Sequence, residues 1–343
     1  MARSDGPRGL DLDRLRSHVD AELPGLFAGP LEAQLIPGGK SNLTYSVTDG
    51  DNAWVVRRPP LGHVLATAHD MGREYRVMAA LADTPVPVPR VRLLCDDAEV
   101  LGAPFYVMDY VDGTVYRSAA QTSGLGEQRA ERLSHHLVEV LAALHTVDFD
   151  AVGLGDFGRP QGFLERQVRR WHRQAESSRS RELPDLDSLH DALAEGVPES
   201  ARHSIVHGDY RLDNAIAAGD DTIAAVLDWE MATLGDPLTD LGLLRMYWDG
   251  FDDLPRDLIA DAVNPAAGFP ASAELIEMYT ASSGIDVGQL AWYEGFACYK
   301  LAVILEGIHY RHIHGQTLGE GFASIGNLVA PIAAAGLERL GRR

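Results

Sequence analysis

The chain has 343 residues, 45% of them hydrophobic, and a net charge of −20. It is long enough to bury a core in two lobes and too acidic for a nucleic-acid binder held by phosphate contacts. Cys95 and Cys298 stand far apart without metal-ligand spacing, which argues against a disulfide framework or a zinc site. No apolar run approaches the roughly 18 residues of a spanning helix, and MARSDGPRGL lacks an apolar leader core, so a soluble cytoplasmic protein is the expectation. Lysine occurs only at Lys40 and Lys300, leaving 28 of the 30 basic residues as arginine. A site that ordinarily uses lysine is therefore expected to use arginine here.

In chain order, residues 11–23 are predicted to form a short amphipathic helix ended by Pro24 and Gly25. Three strand-like runs follow at 31–36, 43–47 and 53–58, rich in branched and aromatic residues. PGGKSN (37–42) separates the first pair, and TDGDN (48–52) places an Asp-Gly hairpin signal between the second. Met71, Tyr75, Met78 and Leu81 recur at helical spacing within 69–82, and TPVPVPRV (84–91) is an extended connector. Residues 91–95 and 104–111 read as strands, closed by an Asp112-Gly113 turn. The pattern then turns helical. Leu133, Leu137, Val140, Leu141 and Leu144 line one face of 127–146. Helices are also predicted at 161–176, 186–195, 237–249, 272–283, 288–310 and near the C-terminus, with short strands at 204–206 and 222–228.

Two phrases carry the chemistry. HGDYRLDNAI (207–216) follows a short apolar strand, and LDWE (227–230) ends another. Asp209, Asn214 and Asp228 are thereby expected at strand ends and loops, where functional groups sit on a rigid support. Phosphoryl transfer needs few groups: a carboxylate to accept the attacking hydroxyl's proton, and oxygen ligands for Mg²⁺. This spacing supplies that set.

HGDYRLDN, LDWE and GDPLTDLG (235–242) resemble the aminoglycoside phosphotransferase and choline kinase family, within the wider protein-kinase-like fold. The resemblance implies an α+β, two-lobed fold. Its small antiparallel-sheet N-lobe would cover 1–108, a hinge 109–113, and a larger helical C-lobe 114–343, with the active site in the cleft. It implies that Asp209 is the catalytic carboxylate, that Asn214 and Asp228 ligate Mg²⁺, and that His207, Asp236 and Asp240 support the loop. Asp236 before Pro237 also has the look of a helix N-cap.

PGGKSN resembles the family's nucleotide-covering loop, so Gly38, Gly39, Lys40, Ser41 and Asn42 are expected around the phosphates, with Ser41 and Asn42 donating to them. Arg57 stands where the family commonly has a lysine, paired with Glu74 on the next helix; arginine keeps the charge but changes shape and reach. FYVMDYVDG resembles the adenine-holding hinge, implying Met108 at the back of the pocket and the backbones of Asp109 and Val111 on the base. ATP is the expected co-substrate, with GTP left open. Arg211 stands where protein kinases carry a lysine that contacts the transferring phosphoryl group, and it is expected to stabilise that charge; a surface salt bridge is the alternative.

Arg166, Arg170 and Arg173 share one helix face, and seven arginines lie between Arg159 and Arg181 against Glu165 and Glu176. A solvated face is one reading and an anion-binding acceptor surface the other. This stretch and YKLAVILEGIHYR (299–311) resemble a subgroup that includes kinase domains fused to acyl-CoA dehydrogenases. That resemblance implies a small-molecule kinase acting on a hydroxyl of an anionic metabolite such as a hydroxyacyl-CoA. An aminoglycoside-type antibiotic kinase, allowed by Asp252, Asp253, Asp257 and Asp261, and a nucleotide-binding pseudokinase, suggested by Arg57, stay open. Neither nucleic acid nor membrane is expected as a partner, and the oligomeric state is open.

Overall fold

The computed structural model describes residues 6–37, 42–61, 70–251, 254, 262–316 and 322–341. Gly38, Gly39, Lys40 and Ser41 of the expected nucleotide loop, and Asp252, Asp253, Asp257 and Asp261, lie outside the described residues. The chain divides into two units, Met1–Gly113 with Ala224–Ala232, and Thr114–Ile223 with Thr233–Arg343. The uninterrupted 114–343 lobe expected from the sequence is therefore corrected, because the LDWE segment belongs with the first unit. Backbone contacts explain this: Val226 N–H donates to the Pro87 carbonyl at 2.8 Å, and Arg73 Nη2 donates to the Ala232 carbonyl at 3.1 Å.

The first unit contains α1 (Leu12–Glu22), β1 (Glu32–Leu35), β2 (Leu43–Thr48), β3 (Ala53–Arg58), α2 (Met71–Leu81), β4 (Val91–Cys95), α3 (Ala98–Leu101) and β5 (Phe105–Asp109). The strands form one antiparallel sheet in the order β1-β2-β3-β5-β4. Alternation along β3 and β5 decides what each face carries. Trp54, Val56, Phe105 and Val107 join a core with Leu15, Val19 and Phe27. The intervening Arg57 and Tyr106 meet Glu74 of α2. The β2–β3 turn is set by Asp49, whose carboxylate accepts from the N–H groups of Ala28, Asp51 and Asn52 at 2.8–3.1 Å. Those backbone bonds, first that of Ala28, lower the Asp49 pKa to about 2.

The chain continues with α4 (Ala119–Thr122), α5 (Glu127–Thr146), α6 (Phe163–Ser177), α7 (Pro184–Glu195), β6 (Ser204–Val206), β7 (Ala215–Ala217), β8 (Ile223–Val226), β9 (Thr233–Gly235), α8 (Leu238–Asp249), α9 (Ser272–Ser283), α10 (Leu290–Ile313) and α11 (Val329–Arg339). Within the second unit β6 pairs antiparallel with β9, with Ile205 opposite Leu234. α10 is buried without a break from Trp292 to Tyr299 and packs against α6, α7, α8 and α11, as a stretch apolar on every face must. α8 approaches it closely at Gly242, where an added Cβ would meet Tyr293 backbone atoms at 2.8–2.9 Å. Among the described residues no helix is long and apolar enough to cross a membrane.

Candidate active site

In the first unit a chain of polar groups runs behind the sheet. Arg57 Nη2 donates to Asp228 Oδ1 at 2.5 Å, and Arg57 Nε lies 3.1 Å from Glu74 Oε2. Glu74 Oε2 also accepts from the Tyr106 hydroxyl at 3.0 Å, while Glu74 Oε1 accepts from Asn42 Nδ2 at 3.1 Å. Glu74 is 1% exposed, so its charge is tolerated only because it is paired and hydrogen-bonded. Burial pushes its carboxyl up, against the pull of Arg57 and Tyr106. Burial alone would lower the Arg57 guanidinium, but Tyr106, Glu74 and Asp228 outweigh it and hold Arg57 charged.

Asn42, expected at the phosphates, donates through its amide nitrogen to Glu74 Oε1 and, at 3.3 Å, to Glu230 Oε2. Asp228 sits at φ 66° and ψ 59°, a left-handed conformation that non-glycine residues rarely adopt and that gathers at functional sites. Asp228 Oδ1 is held by Arg57, and the side chain is 31% exposed. Met108 is buried in β5 opposite Val55. The Asp109 N–H donates to the Arg90 carbonyl at 2.9 Å and the Asp109 carboxylate grips Arg92 through two bonds of 2.7 Å. Of Asp109 the carbonyl is what the backbone could give a base edge; Val111 follows, half-buried.

In the second unit the HGD turn leaves β6 and is held from several sides. Asp240, fully buried at the start of α8, accepts from His207 N–H at 2.6 Å and from Gly208 N–H at 2.8 Å. Burial alone would raise the Asp240 carboxyl, yet the His145 bond and the nearby histidine charges hold it below the ordinary range. His207 Nδ1 accepts from Asp209 N–H at 3.2 Å, and Gly208 supplies the φ of +86° that the turn requires. Asp236 accepts from Leu238 N–H at 2.9 Å and from the Tyr293 hydroxyl at 2.8 Å. The helix begins one residue later than its expected N-cap position implies, with Pro237 as the boundary residue.

Asp209 and Asn214 meet within this loop. Asn214 Nδ2 donates to both Asp209 Oδ2 and the Asp209 carbonyl at 2.9 Å, so its amide nitrogen is used within the loop and its amide oxygen is the group able to act as an acceptor or ligand. Arg211 bridges two carboxylates, with Nε 3.4 Å from Asp209 Oδ2 and Nη2 3.1 Å from Asp213 Oδ2, and its guanidinium lies 5.1 Å from the Tyr247 ring centroid. Burial pushes the Asp213 carboxyl up, with Arg211 opposing.

The three arginines expected on one face of α6, Arg166, Arg170 and Arg173, do not share one environment. Arg166 donates to the Gln161 and Arg159 carbonyls of its own loop, Arg173 is exposed, and Arg170 lies 5.9 Å from the Trp171 ring. Sequence reasoning passed over Lys300 of α10, whose Nζ donates to the Gly208 carbonyl at 2.6 Å. Its one available signal was rarity, as one of only two lysines.

Residues 32–275 match the family model APH, described as the phosphotransferase enzyme family. The chain belongs to that family. The rat acyl-CoA dehydrogenase family member 11 is 34% identical over 343 residues, covering 97% of this chain but 44% of that protein. The chain thus spans less than half the length of this curated relative. A crystal structure from Ralstonia eutropha, provisionally described as an aminoglycoside phosphotransferase, is 35% identical at a TM-score of 0.84 and covers 96% of this chain and 98% of that one. A thermostable mutant of aminoglycoside phosphotransferase APH(4)-Ia, in ternary complex with AMP-PNP and hygromycin B, shares the fold at a TM-score of 0.62 and 14% identity, covering 95% of this chain and 98% of that one. The phosphotransferase family, the five-stranded antiparallel sheet with its helical unit, and the kinase-like α+β fold are therefore established.

Proposed function

We propose that the protein transfers the γ-phosphate of ATP to a hydroxyl of a small anionic metabolite. The observation that carries this reading is the Asp209 carboxylate. Its Oδ2 is held by Asn214 at 2.9 Å, with Arg211 at 3.4 Å, on a loop fixed by Asp240, and the reading assigns the carboxylate to the proton of the incoming hydroxyl. As the acceptor oxygen bonds to the γ-phosphorus, its proton passes to Asp209, the bond to the β,γ-bridging oxygen breaks, and ADP leaves. Asn214 and Asp228, which the family resemblance assigns as ligands, offer the oxygen donors a hard divalent cation prefers, and Mg²⁺ would supply compensation for charge on the phosphoryl oxygens. Arg57 and Arg211 carry fixed positive charge toward the phosphates.

The anionic acceptor is supported by the arginine-rich α6 and by acyl-CoA dehydrogenase relatives, which make a hydroxyacyl-CoA the first candidate. The absence of a spanning helix among the described residues is consistent with action in the cytoplasm. The test is Asp209→Asn. Stabilisation by Mg²⁺-ATP should persist while product formation falls at least about 100-fold; near-normal turnover overturns the assignment. Mass spectrometry of a panel of hydroxyacyl-CoAs, other hydroxy metabolites and aminoglycosides then reads the acceptor. Exclusive modification of aminoglycosides would sink the anionic preference.

A further inference from the structure

We propose that Lys300 is a positioning residue for phosphoryl transfer, locking the peptide plane from which Asp209 projects. This rests on the phosphotransfer reading above. The Gly208–Asp209 peptide has two polar ends. Lys300 Nζ grips its oxygen at 2.6 Å, and His207 Nδ1 accepts from its N–H at 3.2 Å. The preceding peptide is fixed through Gly208 N–H, held by Asp240 at 2.8 Å. Glycine at 208 allows the peptide to rotate freely, so its orientation comes from these partners rather than from side-chain sterics. A rotation of that plane would swing the Asp209 carboxylate away from Asn214.

Chain composition points to the same residue. Arginine fills 28 of 30 basic positions, yet position 300 keeps lysine. The geometry supplies a reason: the ammonium sits 5.7 Å from the Trp171 centroid while reaching one carbonyl, a place for a compact point charge rather than a planar fork. The charged groups around it are Asp209 and Asp240, which favour its charge, and Arg170 and Arg211, which oppose it. Burial, the largest influence, lowers its pKa.

The experiment uses the full chain with Mg²⁺-ATP, reading ADP release with water and with the acceptor panel. Lys300→Met should lower kcat on the order of 100-fold, the cost of misplacing a catalytic group by about an ångström, with KM for ATP unchanged within about twofold. Lys300→Arg should be impaired alongside it. Lys300→Ala should regain turnover in proportion to added ethylamine, a response that simple loss of packing would not give. Amide exchange at Asp209 should also quicken in Lys300→Met, reading the lock without any turnover. Wild-type-like kcat in Lys300→Met, or a loss that tracks thermal stability with no amine rescue, overturns the proposal. A wild-type chain silent with every acceptor and with water instead overturns the phosphotransfer reading on which it rests.

Discussion

Replacing Asp240 by Asn tests whether a carboxylate is what holds the His207–Asp209 turn. Asp240 is fully buried, with Oδ2 accepting from His207 N–H at 2.6 Å and facing His145 Nε2 at 3.2 Å, and Oδ1 accepting from Gly208 N–H at 2.8 Å. Asparagine keeps the shape but offers one acceptor oxygen, so in either orientation its NH₂ confronts a backbone donor. A charge-assisted bond is lost, costing about 1.5–3 kcal/mol, and a buried donor is orphaned at about 1–3 kcal/mol more. The sum is roughly 2.5–6 kcal/mol. For a unit of about 220 residues that predicts a Tm lower by about 5–24 °C. Calorimetry reads the shift, and amide exchange at His207 and Gly208 reads whether the loss is local to the turn. A Tm drop under about 2 °C with unchanged protection at both amides would refute the reasoning.

Two further outcomes follow from packing and from pH. Gly242→Ala should destabilise the second unit by about 1–3 kcal/mol, because the new Cβ would lie 2.8 Å from the Tyr293 backbone and α8 would have to move off α10; an unchanged denaturant midpoint would contradict that contact. Asp49 has its folded pKa lowered to about 2 from an ordinary 3.8. Its contribution to stability is therefore complete above the unfolded value and is lost as pH falls through about 2. The gap in urea midpoint between wild type and Asp49→Asn should be widest near neutrality and close as pH is lowered from 4 toward 2. A gap that stays constant over that range would contradict the backbone-bonded turn.

Much of this was legible because it is periodic or local. The alternation of β2 and β3 and the apolar face of α5 set those elements within a residue or two of their observed ends. The four-residue α3 and α4 and the three-residue β7 and β9 were missed, since runs that short hold barely more than one period and give no repeat to recognise. The catalytic turn was visible because Asp209 and Asn214 lie five residues apart. The groups that fix their surroundings were not. Glu230 meets Asn42 across 188 positions, and Lys300 meets Gly208 across 92. Neither pairing leaves a trace in a local window. Asn42 shows the cost of reading a loop residue alone, because its neighbours in space decide whether its donors are available.

The return of Ala224–Ala232 to the first unit has a consequence for biosynthesis. A ribosome adding about 5–20 residues per second needs roughly 6–24 s to pass from Gly113 to Ala232. Throughout that interval the nascent sheet has its Arg57–Glu74 pair but not Asp228, so the N-terminal unit emerges first and is completed late. A chain truncated at Gly113 would lack the segment that Pro87 and Arg73 hold by hydrogen bonds. The Asp209 turn has been synthesised before Arg57 meets its second carboxylate, yet it waits longer still for its own supports, Asp240 and Lys300.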